Sequence, residues 1–102
     1  MKAIDLFKAL SDETRFRIVC SLLEGELCAC KIPKIVGKAQ PTVSLQLKKL
    51  VRLGVLKKRR QGKFVHYSIK DRLVVDILTL VLGSQKHQIK FMKKKQCFQG
   101  GW

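Results

Sequence analysis

Residues 39–70, AQPTVSLQLKKLVRLGVLKKRRQGKFVHYSIK, decide how this chain is built. Gln40-Pro41 opens a helix, because proline is pre-organised for a first helical turn. Val43, Leu47 and Leu50 recur at i, i+4 and i+7 and give that helix one apolar face. Gly54 closes it. Val55 to Arg60 and Phe64 to Ile69 then read as two strands joined by Gln61-Gly62-Lys63, the glycine supplying a tight turn. Val65, Tyr67 and Ile69 alternate toward one face. A polar-faced helix followed by a cationic hairpin suits a domain that holds duplex DNA.

Working outward, Lys2 to Leu10 reads as a short helix with Ile4 and Phe7 on one side. Ser11 is a good N-cap for the next helix, and Asp12 and Glu13 suit its positive end. Phe16, Val19 and Leu23 share a face of that second helix, which runs to about Glu24 and ends at Gly25. Glu26-Leu27 forms a brief extended link. A third helix spans about Cys28 to Val36 and stops at Gly37. Pro33 is tolerated only in first turns, so this helix begins late or is irregular. Beyond the hairpin, Asp71 opens a long helix. Leu73, Val74, Val75, Ile77, Leu78, Leu80, Val81 and Leu82 cover most of its circumference, so it needs cover on more than one side. In so small a domain a second subunit can supply one of those sides. The expected fold is mostly α with a small β-hairpin, a winged helix-turn-helix in the order α-α-α-α-β-β-α. Residues 1–83 form the domain, with dimerisation helices at both ends, and 84–102 a basic, partly flexible tail.

The totals agree. A chain of 102 residues makes one domain, and 46% hydrophobic content excludes general disorder. The net charge of +15 is unevenly distributed. Asp5, Asp12, Glu13, Glu24 and Glu26 are early, and only Asp71 and Asp76 follow, against all but four of the 22 Lys and Arg. That surplus favours a polyanionic partner. Double-stranded DNA fits better than a membrane, because no basic amphipathic helix with an aromatic apolar face is present. No signal peptide or membrane span is evident, which points to a cytoplasmic protein. Its four cysteines are then reduced, metal-binding or redox-active rather than structural disulfides.

The third and fourth helices form a helix-turn-helix, the fourth entering the major groove. Its outward residues are Gln40, Thr42, Ser44, Gln46, Lys48 and Lys49. Glutamine can pair bidentately with adenine, and Ser or Thr can reach a base or a phosphate. Lys48 and Lys49 suit phosphates, which position without specifying. Arg59, Arg60 and Lys63 at the hairpin suit the DNA backbone or an adjacent minor groove.

With these pieces in hand, the chain resembles the ArsR/SmtB family of metal-responsive winged-helix repressors. The resemblance covers about residues 6–82 and rests on LSDETR, ELCAC, QPTVS, LKKLVRLGVL and RRQGKFVHYS in the family's order. It implies a homodimer built from the first and last helices, here through Ile4, Phe7, Val74, Ile77, Leu78 and Val81. It implies an operator with imperfect two-fold symmetry, and release by a soft metal ion or metalloid. Two positions depart from the family. Ala39 stands where relatives often carry a capping Ser or Thr, a loss of about 1 kcal/mol of helix stability. Leu45 stands where many carry a polar residue facing DNA; it can pack on a thymine methyl or shield the helix.

Cys28 and Cys30 open the third helix or lie just before it. A helix N-terminus, with Lys31 and Lys34 nearby, favours the thiolates that bind metal. Family precedent makes this pair the ligand set for arsenic, antimony or cadmium, with arsenite or antimonite the leading inducers and no cofactor required. The third thiol common in arsenic sensors is absent, so a three-sulfur site would need Cys97 from the tail, or Cys20. Cys20 reads as a small buried hydrophobe. Asp76 and His87, on or beyond the last helix, lack the neighbours that would complete the family's other metal site, and His66 lies in the wing strand. An alternative reading is a constitutive or redox-responsive architectural DNA binder without a metal inducer. Catalysis is not indicated: no nucleophile–base–acid constellation is present, and C-x-C matches a thioredoxin-like motif poorly.

Overall fold

The computed structural model describes residues 1–83, which fold as α1 (Ala3–Leu10), α2 (Glu13–Ser21), β1 (Leu27–Cys28), α3 (Ile32–Val36), α4 (Gln40–Arg52), β2 (Leu56–Gln61), β3 (Phe64–Ile69) and α5 (Arg72–Gly83). The expected tail over 84–102 lies outside the described residues.

Local chemistry sets most boundaries. Asp12, not Ser11, caps α2: its carboxylate accepts from the Arg15 backbone N–H at 3.0 Å. Ser11 instead closes α1, its hydroxyl donating to the Lys8 carbonyl at 2.9 Å. α2 stops at Ser21, earlier than Glu24, and turns carry the chain to Gly25. α3 is shorter than its apolar pattern suggests and starts at Ile32, four residues after Cys28. Pro33 sits in its first turn, where the missing N–H costs nothing. Gly37 ends it at φ 73°, a left-handed conformation that glycine adopts without a Cβ penalty. The chain then enters α4 after only Lys38 and Ala39. Ala39 makes no side-chain cap bond.

The link before α3 is a strand, a correction to the two-strand expectation. β1 pairs antiparallel with β3 as Leu27↔Tyr67 and Cys28↔His66, giving a three-stranded sheet in the order β1-β3-β2. Cys28 is therefore held by the ladder and not by a helix. The hairpin closes at Gln61↔Phe64 around Gly62-Lys63. Gly62 has φ 61° and no non-glycine residue among the described residues has a positive φ, the pattern of a II′ turn with glycine at its first central position.

One face of the sheet, with Leu27, Leu56, Tyr67 and Ile69, packs on the core. The helices contribute Leu6, Ile18, Val19, Ile32, Val36, Val43, Leu47 and Leu50. α5 adds Val74, Leu78 and Leu82, spaced i, i+4, i+8. Leu73, Leu80 and Val81 of the same helix remain exposed, as do Ile4 and Phe7 of α1. Val74 and Leu78, expected at a subunit contact, thus belong to the protomer's own core. No helix among the described residues is long and apolar enough to cross a membrane.

Candidate nucleic-acid interface and thiol site

α4 presents a polar, cationic outer face because its apolar residues are used inward. Val43, Leu47 and Leu50 anchor it. Gln40, Thr42, Ser44, Leu45 and Lys48 stand exposed, and Lys49 is half-buried. Leu45, at 54% exposure, is a large apolar side chain left open by the described residues. Gln46 differs from its expected outward role. It is half-buried, and its Oε1 accepts from Arg15 Nη1 of α2 at 3.0 Å. Nothing in the helical spacing of α4 announces this bond, because its donor lies 31 residues away.

The hairpin carries exposed cations at Lys57, Lys58, Arg59, Arg60 and Lys63. β2 is an edge strand, and charged edge residues also discourage pairing with other sheets. Arg59 is engaged within the protein. Its Nη2 and Nε donate to the two carboxylate oxygens of Glu26 at 2.7 and 3.1 Å, and its Nη1 to Gln61 Oε1 at 3.2 Å. The Arg59 hydrogen bond holds the Glu26 carboxyl below its ordinary range and raises the guanidinium correspondingly. Arg60 and Lys63 remain open to solvent, Lys63 with its Nζ 5.9 Å from the centre of the exposed Phe64 ring. Lys57 and Lys58 extend this basic surface beyond the cations the hairpin motif singled out.

The Sγ atoms of Cys28, the last residue of β1, and Cys30, in the turn that leads to α3, lie 2.9 Å apart. The Cys30 thiol, then the Cys30 backbone N–H, favours the Cys28 thiolate and lowers its pKa; Lys31 adds a smaller effect. Cys30 is pushed the opposite way, chiefly by its hydrogen bond to Cys28. Cys28 is thus activated by the geometry of the pair, and not by the helix N-terminus that the sequence suggested. Cys28 is half-buried and Cys30 exposed, so an ion has access. Two convergent, polarizable sulfurs fit a soft ion far better than a hard one. Cys20 is packed in the core at 4% exposure. No three His, Cys, Asp or Glu donors come together among the described residues. Cys97 and His87 lie outside the described residues. Asp76 pairs with Arg72 at 3.4 Å on the surface of α5. His66 sits across the ladder from Cys28.

Residues 12–58 match the bacterial regulatory protein family arsR. The chain is 43% identical over 79 residues to a cadmium resistance transcriptional regulatory protein CadC homolog of Staphylococcus aureus, covering 76% of this chain and 65% of that protein. It is 42% identical over 81 residues to an uncharacterized HTH-type transcriptional regulator of Methanocaldococcus jannaschii, covering 78% and 91%. It is 45% identical over 71 residues to the arsenical resistance operon repressor of Escherichia coli, covering 69% and 61%. The chain therefore spans less than two thirds of the length of the cadmium and arsenical relatives. Among solved structures, the AntR antimony-specific transcriptional repressor superposes with a TM-score of 0.74 at 33% identity, over 85% of this chain and 79% of that one. A homodimeric winged helix-turn-helix DNA-binding domain from Mycobacterium bovis superposes with a TM-score of 0.73 at 26% identity, over 86% and 82%.

Proposed function

The chain belongs to the arsR family of bacterial regulatory proteins, and from that premise we propose that it is a homodimeric, sequence-specific DNA-binding repressor released by a soft metal or metalloid ion at Cys28 and Cys30. The observation that carries the sensing half is the 2.9 Å approach of those two sulfurs, one at the end of the strand that pairs with β3 and one in the turn after it. Thiolate ligation suits arsenite, antimonite or cadmium. Relatives named for arsenical and cadmium resistance, and a neighbour specific for antimony, support this class of inducer.

DNA recognition falls to Gln40, Thr42, Ser44, Leu45 and Lys48 on α4, with Lys49 beside them, and to Arg60 and Lys63 on the wing. Lys57 and Lys58 add phosphate contacts. Ile4 and Phe7 of α1 and Leu73, Leu80 and Val81 of α5 supply the exposed apolar surface that a second subunit would cover, with Ile77 at its margin. DNA and inducer prefer different dimer arrangements, so each weakens the other. A coupling of about 1–3 kcal/mol corresponds to about 5- to 150-fold in operator affinity.

The test is fluorescence anisotropy of a fragment from the protein's own promoter, titrated with reduced protein and then with arsenite, antimonite and cadmium. Release by one ion, lost in a Cys28→Ser/Cys30→Ser variant, is the expected result. Tight binding indifferent to all three, with little preference over random DNA, would replace this reading with an architectural one.

A further inference from the structure

α4 packs on α2, α3 and β2 and buries Val43, Leu47 and Leu50. A helix turns about 100° per residue, so a residue two after Val43 and two before Leu47 points away from the core. That residue is Leu45. Thr42 and Lys48 stand three residues to either side of it, Lys49 four residues on and Arg52 seven, all on the outward side of the helix. Leu45 is thus an apolar side chain, 54% exposed, at the centre of a polar and cationic surface.

The other exposed large apolar side chains among the described residues lie at Met1, on α1, on the wing and on α5. Those of α1 and α5 form the surface assigned above to a second subunit. Leu45 belongs to no such patch, because Thr42, Ser44 and Lys48 around it are exposed and polar. The cations beside it favour a polyanion over a second copy of the same cationic helix. Leu45 also lies in the N-terminal half of α4, the part of a recognition helix that meets base edges. Those edges carry donors, acceptors and one apolar group, the C5 methyl of thymine. Leucine forms no side-chain hydrogen bond, so the polar edges of the other three bases offer it no specific contact. Contact with the methyl removes apolar surface of both partners from water.

We propose that Leu45 is a specificity-determining residue that reads the C5 methyl of one thymine in each half of the operator. The inference rests on the DNA-binding reading above and deepens it. It adds one apolar base contact to a surface otherwise made of hydrogen-bonding and phosphate-binding side chains.

The experiment begins with selection from a randomised duplex library by the full chain. Each thymine of the enriched site is then replaced in turn by deoxyuridine, which pairs identically and lacks only the methyl, and binding is read by anisotropy. For wild type, one thymine in each half-site should be sensitive, with a loss of about 4-fold, the worth of one buried methyl-sized group. Leu45→Ala should lose that sensitivity, and Leu45→Met, still apolar, should keep it. Both variants place a strong helix former at an exposed position, so the fold is preserved. Equal affinity of wild type for every deoxyuridine duplex would overturn the proposal, as would a sensitivity that Leu45→Ala retains. Loss of the dimer in Leu45→Ala by sedimentation equilibrium would place the side chain at a subunit contact and overturn it as well. No enrichment of any sequence by wild type would instead overturn the repressor reading itself.

Discussion

Leu78 and Leu80 are two residues apart on α5 and should fail in opposite ways. Leu78 is 1% exposed and Leu80 77% exposed, so the first holds the protomer together and the second awaits cover. Leu78→Ala removes a buried side chain and leaves a cavity, a cost of about 2–5 kcal/mol. A urea slope of about 1–3 kcal/mol/M turns that into a midpoint lowered by roughly 1–2 M. Leu80→Glu leaves the protomer core untouched. Burying one leucine is worth about 1.5–3 kcal/mol, and a two-fold interface loses it twice. Discounting for incomplete exposure and burial, the dimer should weaken by about 2–4 kcal/mol, on the order of 30- to 900-fold. Sedimentation equilibrium reads the association, and urea unfolding at a fixed protein concentration reads the stability, because the two are linked in a dimer. A dimer undiminished in Leu80→Glu would show that this face is not the subunit contact. A Leu78→Ala variant of unchanged stability would mean that α5 is rotated from the placement argued above.

Three further outcomes follow from single contacts. Glu26→Gln releases Arg59 to the DNA backbone, so the slope of log affinity against log salt should steepen by about 0.9 for each added phosphate contact; an unchanged slope would mean that Arg59 stays bound within the wing. Asp12→Ala removes the N-cap of α2 and should cost about 1 kcal/mol by urea unfolding, with Asp12→Asn retaining most of it; equal losses in the two would locate the effect elsewhere. The Cys30 thiol lowers the pKa of Cys28, so Cys30→Ala should move the pH profile of Cys28 alkylation toward higher pH. In wild type Cys28 should react at lower pH than Cys30, because the same hydrogen bond raises Cys30; simultaneous alkylation of the two thiols would contradict that order.

The periodic parts of the fold were legible because burial writes them into the sequence. Val43, Leu47 and Leu50 announce α4, and Gly62 announces the hairpin, each through a local rule. β1 was not legible as a strand. Two residues are too few to show alternation, and Leu27-Cys28 becomes a strand only because β3 offers it a free edge. The long apolar run of α5 hid which side faces the core. Val74 and Leu78 are chosen by the neighbours that pack on them, and no feature of the run distinguishes them from Leu73 or Leu80. The site divides in the same way. Lys48, Arg60 and the Cys28/Cys30 spacing can be read locally. The bonds from Arg15 to Gln46 and from Arg59 to Glu26 join residues 31 and 33 positions apart and have no sequence period.

Those long-range bonds bear on how a proposed thiol site and a reading surface can share one small domain. Cys28, His66 and Arg59 form one row across the sheet, from β1 through β3 to β2. Paired residues of antiparallel strands project on the same face, and Glu26 projects there too, two residues before Cys28. A change at the thiols therefore acts on the strand that supplies the carboxylate engaging Arg59. On the other side of the turn, the chain from Cys30 enters α3 almost at once, and α3 leads through Gly37 into α4. The pair thus stands at a junction with one exit to the wing and one to the reading helix. Neither exit needs a long relay of packed side chains, because both are continuous backbone or ladder hydrogen bonds. The physical requirement for coupling is only that the turn have two arrangements that DNA and inducer prefer differently. The 2.9 Å sulfur contact is suited to this role, because it is maintained by one thiol proton that ligation by both sulfurs would remove.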